Sequence, residues 1–140
     1  MAKVVIDANV IVSAAFGGKP LEAVGRALRE HEVFVSESVL EELGGVIERL
    51  SKKLSPEQIR YLREKMGQLF KAAHRIRVSM KLSLSRDAKD GHYLSLCKEA
   101  RADFLITGDK DLLSLSLESL KENGIACRII SPANFLEMAL

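Results

Sequence analysis

The chain alternates short apolar runs with longer segments in which apolar residues recur every three or four positions. Continuous runs rich in Val, Ile and Phe are typical of strands that are buried on both faces. Such runs predict five strands, over residues 3–6, 32–35, 75–78, 104–107 and 126–130. The helical spacing, with Gly, Pro or Ser at its breaks, predicts helices over residues 8–15, 20–30, 37–53, 56–73, 87–100 and 109–122, and a closing helix after residue 131.

Strands that are separated by helical crossovers favour a parallel sheet with helices packed on both faces. The pattern therefore predicts an α/β protein with a three-layer sandwich architecture. A chain of 140 residues without a linker-like tract or an internal repeat is expected to form one domain, residues 1–140.

Carboxylates recur near the predicted strand ends, where binding sites form in open parallel sheets. Asp7 directly follows the first strand in VVIDANV, and Asp109 and Asp111 follow the fourth in FLITGDKD. Asp90 falls in the first turn of the helix that leads to the fourth strand. Glu42 lies about two turns into the helix after the second strand. The acids that end the first and fourth strands are expected at one edge of the sheet.

Two interpretations of these acids stay open from spacing alone. Asp7 and Asp109 could simply cap the helices that follow them, and Asp87 and Asp90 have the spacing of a capping-box variant. Alternatively, converging carboxylates would raise one another's pKa unless a cation neutralised them. A cluster of oxygen ligands suits Mg²⁺ or Mn²⁺, which lowers the pKa of a bound water and offsets the charge of a phosphodiester. The second interpretation predicts a metal-dependent nuclease.

Four motifs together resemble the PIN-domain family (PilT N-terminal type), and within it the VapC-like ribonucleases that are toxin components of toxin–antitoxin pairs. The motifs are VVIDANVIVSA, VSESVLEELGGVI, DAKDGHYLSLC and ADFLITGDKDLL, and the resemblance covers nearly the whole chain. The most specific is the last, in which an apolar strand ends in TGD-x-D. The resemblance implies a five-stranded parallel sheet of order 3-2-1-4-5, with Asp7 and Asp109 on neighbouring strands.

The same resemblance implies roles for individual residues. It implies that four acids are catalytic and bind the metal ion: Asp7, Glu42, Asp90 and Asp109. It implies that Asp111 is a further metal ligand, and that Asn9 and Thr107 are polar residues that support the acids. Glu41 and Glu42 point about 100° apart on a helix, so only one of them can face inward. The family motif favours Glu42.

The activity implied by the resemblance is Mg²⁺- or Mn²⁺-dependent endoribonuclease cleavage, in which an activated water attacks RNA without a covalent enzyme intermediate. An antitoxin protein and a second copy of the chain, as a homodimer, are the implied partners. Two alternatives are kept. One is a non-catalytic PIN module that binds RNA or a protein. The other is a HAD-like phosphohydrolase with an aspartyl nucleophile, which Asn9 disfavours because the second acid of that motif is missing.

Composition adds a cellular location. With 47% hydrophobic and 29% charged residues, the chain has the composition of a soluble globular protein, and no apolar run reaches the roughly 18 residues of a membrane span. Asp7 and Asn9 interrupt the first apolar run, so no signal peptide is expected and the cytoplasm is predicted. Cys97 and Cys127 form no CxxC pair and are expected to be core thiols rather than zinc ligands.

Positive charge is concentrated in one segment although the formal net charge is only +2. Residues 49–77 contain nine Lys or Arg and two Glu, which fits an arm laid along a phosphate backbone or the outer face of a helical hairpin. Six basic residues are predicted nucleic-acid contacts or counter-charges to the acids: Lys19, Arg60, Arg63, Arg86, Lys89 and Lys110. His92 could touch substrate, although a lone His is more often a packing residue. Phe70 is assigned to the apolar stripe of residues 59–73.

Overall fold

Five short parallel strands form one sheet, in the order β3-β2-β1-β4-β5. The computed structural model describes residues 1–78 and 88–138, and of residues 88–90 it describes the backbone alone. The strands are β1 Lys3–Ile6, β2 Glu32–Val35, β3 His74–Arg75, β4 Phe104–Ile106 and β5 Arg128–Ile130. The α/β class and the sheet order 3-2-1-4-5 are confirmed.

Eight helices connect and flank the strands in the described part of the chain. They are α1 Ala8–Ala14, α2 Gly18–Glu30, α3 Glu37–Leu50, α4 Pro56–Ala72, α5 Ala88–Ala100, α6 Lys110–Leu113, α7 Leu117–Glu122 and α8 Pro132–Glu137. Six of them begin at an Asp or Ser whose side chain accepts a hydrogen bond from a backbone N–H of the first turn: Asp7, Ser36, Ser55, Asp109, Ser116 and Ser131. Side-chain capping of this kind satisfies N–H groups that have no partner within the helix.

Strand β1 lies at the centre of the sheet because its apolar residues are covered on both faces. Val4 and Val5 are fully buried, and Ile6 pairs in register with Ile106 of β4. The backbone N–H of Asp7 continues this pairing by donating to the carbonyl of Ile106 at 2.9 Å. The residues that directly follow the two strands, Asp7 and Thr107, therefore lie at the same edge of the sheet.

Several predicted boundaries were wrong. The helix predicted over residues 109–122 is two helices, α6 and α7: the first ends at Leu113, and Ser116 caps the second by accepting from the N–H of Ser119 at 3.1 Å. The helix predicted over residues 37–53 ends at Leu50, and a turn follows it.

The strand predictions erred at their ends. The third strand, predicted over residues 75–78, is only His74–Arg75, since it is an edge strand that pairs with β2 alone. The fourth strand ends one residue earlier than predicted and the fifth begins two residues later. Phe70 does not join the apolar stripe of α4: it is 44% exposed, and its ring lies 4.5 Å from the guanidinium carbon of Arg75.

The two cysteines are buried and free, as expected of core thiols. Their side chains hydrogen-bond to each other, and this bond together with burial raises the pKa of Cys97 well above its usual range. No helix among residues 1–78 and 88–138 combines the length and the apolar character that crossing a membrane requires.

His31 predicts a loss of stability in mild acid. Its buried ring accepts a hydrogen bond from the N–H of Ala2 at Nδ1, at 3.0 Å, and burial lowers its pKa. Because the folded pKa lies below the ordinary value of 6.5, the stabilisation is present above that pH and is lost as the pH falls through the folded pKa. Thermal unfolding at about pH 7.5 and about pH 5.5 should show a smaller acid-induced drop in His31→Asn, which keeps an acceptor but does not titrate in this range. An equal drop in both proteins would assign the acid sensitivity to other groups.

Candidate active site

Asp7 is a buried carboxylate at the C-terminal end of β1. It is 3% exposed, and both of its oxygens accept hydrogen bonds. Oδ1 accepts from the backbone N–H of Asn9 at 3.0 Å, which caps α1, and Oδ2 accepts from the hydroxyl of Thr107 at 2.7 Å. The capping interpretation is therefore correct for Asp7, but capping uses only one of its two oxygens.

The electrostatic environment of Asp7 disfavours its charge. Burial is the largest influence and raises its pKa, while the hydrogen bonds from Asn9 and Thr107 lower it. The nearby charge of Glu42 raises the pKa further, and a weaker interaction with the Tyr93 hydroxyl lowers it; the net direction is upward. Two carboxylates in such a setting ionise together more readily when a cation lies beside them.

Glu42, on α3, is the acid that faces inward. It is half-buried, whereas Glu41 is exposed. Oε2 of Glu42 accepts a hydrogen bond from the Tyr93 hydroxyl at 2.7 Å and lies 3.1 Å from Nε2 of His92. The Tyr93 hydroxyl in turn accepts from the backbone N–H of Ala8 at 2.8 Å. A chain of contacts thus joins α3, α5 and the start of α1.

Thr107 links Asp7 to the loop after β4. The side chain is fully buried, and its hydroxyl accepts a hydrogen bond from the N–H of Asp109 at 3.0 Å while donating to Asp7. Asp109 is half-buried and caps α6, with Oδ1 accepting from the N–H of Asp111 at 2.8 Å. Asp111 itself is exposed. The supporting contact predicted for Thr107 is present, while metal binding by Asp111 stays a prediction.

A cavity of about 400 Å³ opens beside Asp7 and Asp109. Its other lining residues are uncharged: Asn9, Val10, Ser13, Pro20, Gly108 and Pro132. Asn9 and Ser13 are exposed and four residues apart on α1, so they share one face of that helix. The charged groups among these lining residues are therefore the two carboxylates.

The remaining predicted residues are spread more widely. Lys19 and Lys110 are exposed beside residues that line the cavity. Arg60 and Arg63 line a different groove, between the end of α3 and the start of α4. The predictions for Asp87 and Arg86 fall outside the described residues. Asp90 and Lys89 have their backbone in the first turn of α5, and their side chains are outside the description.

Among the side chains that the structure describes, no three of His, Cys, Asp or Glu are close enough together to hold a metal ion. Asp7 and Glu42 interact, since the charge of Glu42 raises the pKa of Asp7. The third acid expected here, Asp90, is the one whose side chain falls outside the description.

Two residues of this region were missed from the sequence. Ser13 follows Asn9 by one helical turn, and Tyr93 follows Asp90 by three residues. Either spacing places a pair on one helix face. The signal that could have identified Tyr93 was therefore its spacing from Asp90, a candidate metal ligand. Its aromatic character indicated a core residue instead.

Comparison with known proteins bears on the family and the fold. A family model described as PIN domain matches residues 3–111. Seven chains of solved structures match significantly. One is from the structure of VapBC2 from Rickettsia felis bound to a DNA fragment from their promoter, at 13% identity and a TM-score of 0.54, covering 91% of this chain and 98% of that chain. Another is a domain of a functionally unknown protein from Methanocaldococcus jannaschii DSM 2661, at 17% identity and a TM-score of 0.55, covering 92% and 91%. At these identities the likeness is one of fold. No curated protein matches at a significant level.

Proposed function

Because the chain belongs to the PIN domain family, we propose that it is a Mg²⁺- or Mn²⁺-dependent endoribonuclease and the toxin of a toxin–antitoxin pair. The observation that carries the nuclease is Asp7, a buried carboxylate with a raised pKa, which is held by Thr107 and lies near Glu42 at the edge of the sheet. The likeness to a chain of VapBC2, which extends over 98% of that chain, supports the toxin role and an antitoxin protein as partner.

The chemistry of the described acids Asp7 and Glu42 suits a hard divalent cation. Asp7 and Glu42 are close enough to influence each other's charge, and burial adds to the cost of ionising Asp7. A positive ion would offset both costs, and oxygen ligands suit Mg²⁺ or Mn²⁺. Asp7, Glu42, Asp90 and Asp109 would hold the ion, with Asp111 as a further ligand. When bound, such an ion would act as a Lewis acid that offsets the charge of the phosphodiester and lowers the pKa of a bound water.

The chain's own residues orient the reacting groups. Thr107 and the N–H of Asn9 fix both oxygens of Asp7, and the cap of α6 fixes Asp109. The nucleotide beside the scissile phosphate occupies the cavity next to these acids, and Lys19 and Lys110 contact its phosphates. Water rather than a side chain attacks the phosphorus, so no covalent enzyme intermediate forms.

The residue at position 9 argues against the HAD-like phosphohydrolase. Asn9, where that mechanism needs a second acid, cannot act as a general acid or base. No comparable observation supports that alternative.

The direct test is cleavage of structured and single-stranded RNA by the purified chain in Mn²⁺, in Mg²⁺ and in EDTA, with Mn²⁺ binding followed by calorimetry. We expect cutting that EDTA stops and that excess Mn²⁺ restores. Undiminished cutting in EDTA would refute metal dependence. If the chain binds RNA but neither cuts it nor binds Mn²⁺, the non-catalytic module is favoured, with residues 49–77 as its binding surface.

Filling the cavity should block the substrate and leave the acids intact. Ser13→Trp places a large ring in the cavity from an exposed position on α1, so we expect initial cleavage rates to fall at least about tenfold. Because the site is exposed, the free energy of unfolding should change by no more than about 0.5 kcal/mol.

Ser13→Ala is the matched control, since it removes the hydroxyl without filling space. Parent-like cleavage by Ser13→Trp would place the substrate outside this cavity. Equal losses in both variants would assign a contact to the hydroxyl instead.

A further inference from the structure

We propose that Tyr93 is a positioning residue that fixes the Glu42 carboxylate against the start of α1 and so sets the geometry of the proposed metal site. This inference rests on the proposed function. Its observation is the pair of hydrogen bonds at one hydroxyl, which donates to Oε2 of Glu42 at 2.7 Å and accepts from the N–H of Ala8 at 2.8 Å.

The two bonds use the tyrosine hydroxyl in complementary ways. Its single proton goes to the carboxylate, and one of its lone pairs receives the N–H of Ala8. Ala8 is the first residue of α1, and the N–H groups of a first helical turn have no partner within the helix. Asp7 caps the next N–H, that of Asn9. Tyr93 and Asp7 therefore fix adjacent N–H groups of the same helix end.

Tyr93 has a rigid base from which to do this. Its side chain is 2% exposed, and α5 packs against β1, β2 and β4. The ring of His92 lies over it, with the ring centroids 4.1 Å apart, and contacts the same oxygen of Glu42. Burial and the charge of Asp7 raise the pKa of Tyr93 above its ordinary value, so the hydroxyl keeps the proton that it donates.

Glu42 needs such a support because its side chain is long and lies near a second carboxylate. Repulsion between Glu42 and Asp7 favours rotation of the glutamate away from the site. The donor at Oε2 opposes that rotation. Outer hydrogen bonds of this kind orient metal-binding carboxylates, and their loss typically costs about 10–100-fold in metal affinity or activity.

The test is Tyr93→Phe, which removes one oxygen and keeps the ring. We expect the Mn²⁺ dissociation constant from calorimetry to rise about tenfold and kcat to fall about 10–100-fold, with KM for RNA unchanged. Tyr61→Phe is the matched control, since the buried hydroxyl of Tyr61 has no hydrogen-bond partner among the described residues. The control should keep parent values of all three.

A double-mutant cycle separates positioning from a general structural role. If Tyr93 acts through Glu42, Tyr93→Phe should change neither Mn²⁺ affinity nor kcat further once Glu42→Gln is present. Independent losses in the two backgrounds would overturn the inference. So would a Tyr93→Phe variant that has only a lowered melting temperature, with parent Mn²⁺ affinity and kcat.

The failure of the proposed function gives a different result. In that case the parent chain itself would neither bind Mn²⁺ nor cut RNA, and both proposals would fall together. An active parent with an equally active Tyr93→Phe would overturn only the positioning role and leave the nuclease intact.

Discussion

Asp7→Asn is expected to lose RNA cleavage by about a thousandfold or more while unfolding at the parent's temperature or above it. Removing a proposed charged ligand takes away several kcal/mol of transition-state stabilisation. Each 1.4 kcal/mol that is lost slows the reaction about tenfold, which gives the expected loss. The retained stability follows from burial, which raises the pKa of Asp7 and so penalises its charge in the folded state. Asparagine has the same shape, and its oxygen can still accept from the N–H of Asn9. Its NH₂ group takes the place of Oδ2 and can donate to the Thr107 hydroxyl, which turns instead of losing its partner.

Asp103→Asn makes the same chemical change at the opposite edge of the sheet. The Asp103 carboxylate is exposed and accepts a hydrogen bond from the N–H of Lys3 in β1 at 2.8 Å, so cleavage should stay at the parent level. Initial rates in Mn²⁺ and thermal unfolding of the three proteins measure both effects. Substantial cleavage by Asp7→Asn would reject the proposed mechanism, and a large loss in Asp103→Asn would show that the assay responds to something other than the site.

Thr107→Val is expected to weaken both stability and activity. Valine fills the same space but removes a hydroxyl that donates to Asp7 and accepts from the N–H of Asp109. Leaving buried polar groups without partners costs about 1–3 kcal/mol in the free energy of unfolding. Because both acids lose a fixed neighbour, cleavage should fall about 10–100-fold.

Thr107→Ser keeps the hydroxyl and loses only a methyl group, so it should retain most of the activity. Urea denaturation gives the stability difference between the Ser and Val variants, and initial rates give the difference in cleavage. If the two variants behave alike, the hydroxyl has no role and the fully buried side chain of Thr107 matters only for packing.

The parts of the fold that could be predicted are those with strong local signals. Strands β1 and β2 were predicted with their observed bounds because each is a short run of apolar residues that ends at a helix-capping Asp or Ser. The predicted helix over residues 109–122 failed since its Leu residues keep a helical spacing through a serine-rich stretch. There the Ser116 side chain competes for backbone N–H groups and starts a new helix.

The site was less predictable because it depends on contacts between distant parts of the chain. Thr107 and Asp7 are 100 residues apart, and Tyr93 and Ala8 are 85 apart. Periodicity says nothing about which strands are neighbours, so the sheet order came from resemblance to a family. The role of Tyr93 could not be predicted in this way, since a buried aromatic residue on a helix is ordinarily part of the core.

The acids of this site are held by donors that belong to the chain itself. Thr107, the N–H of Asn9 and the N–H of Asp111 orient Asp7 and Asp109 by hydrogen bonds. If activity requires the proposed ion, its withdrawal should stop cleavage without unfolding the protein, and its return should restore cleavage on the timescale of diffusion rather than of refolding. A cell could keep such a protein folded at rest and switch it through the supply of free divalent cations.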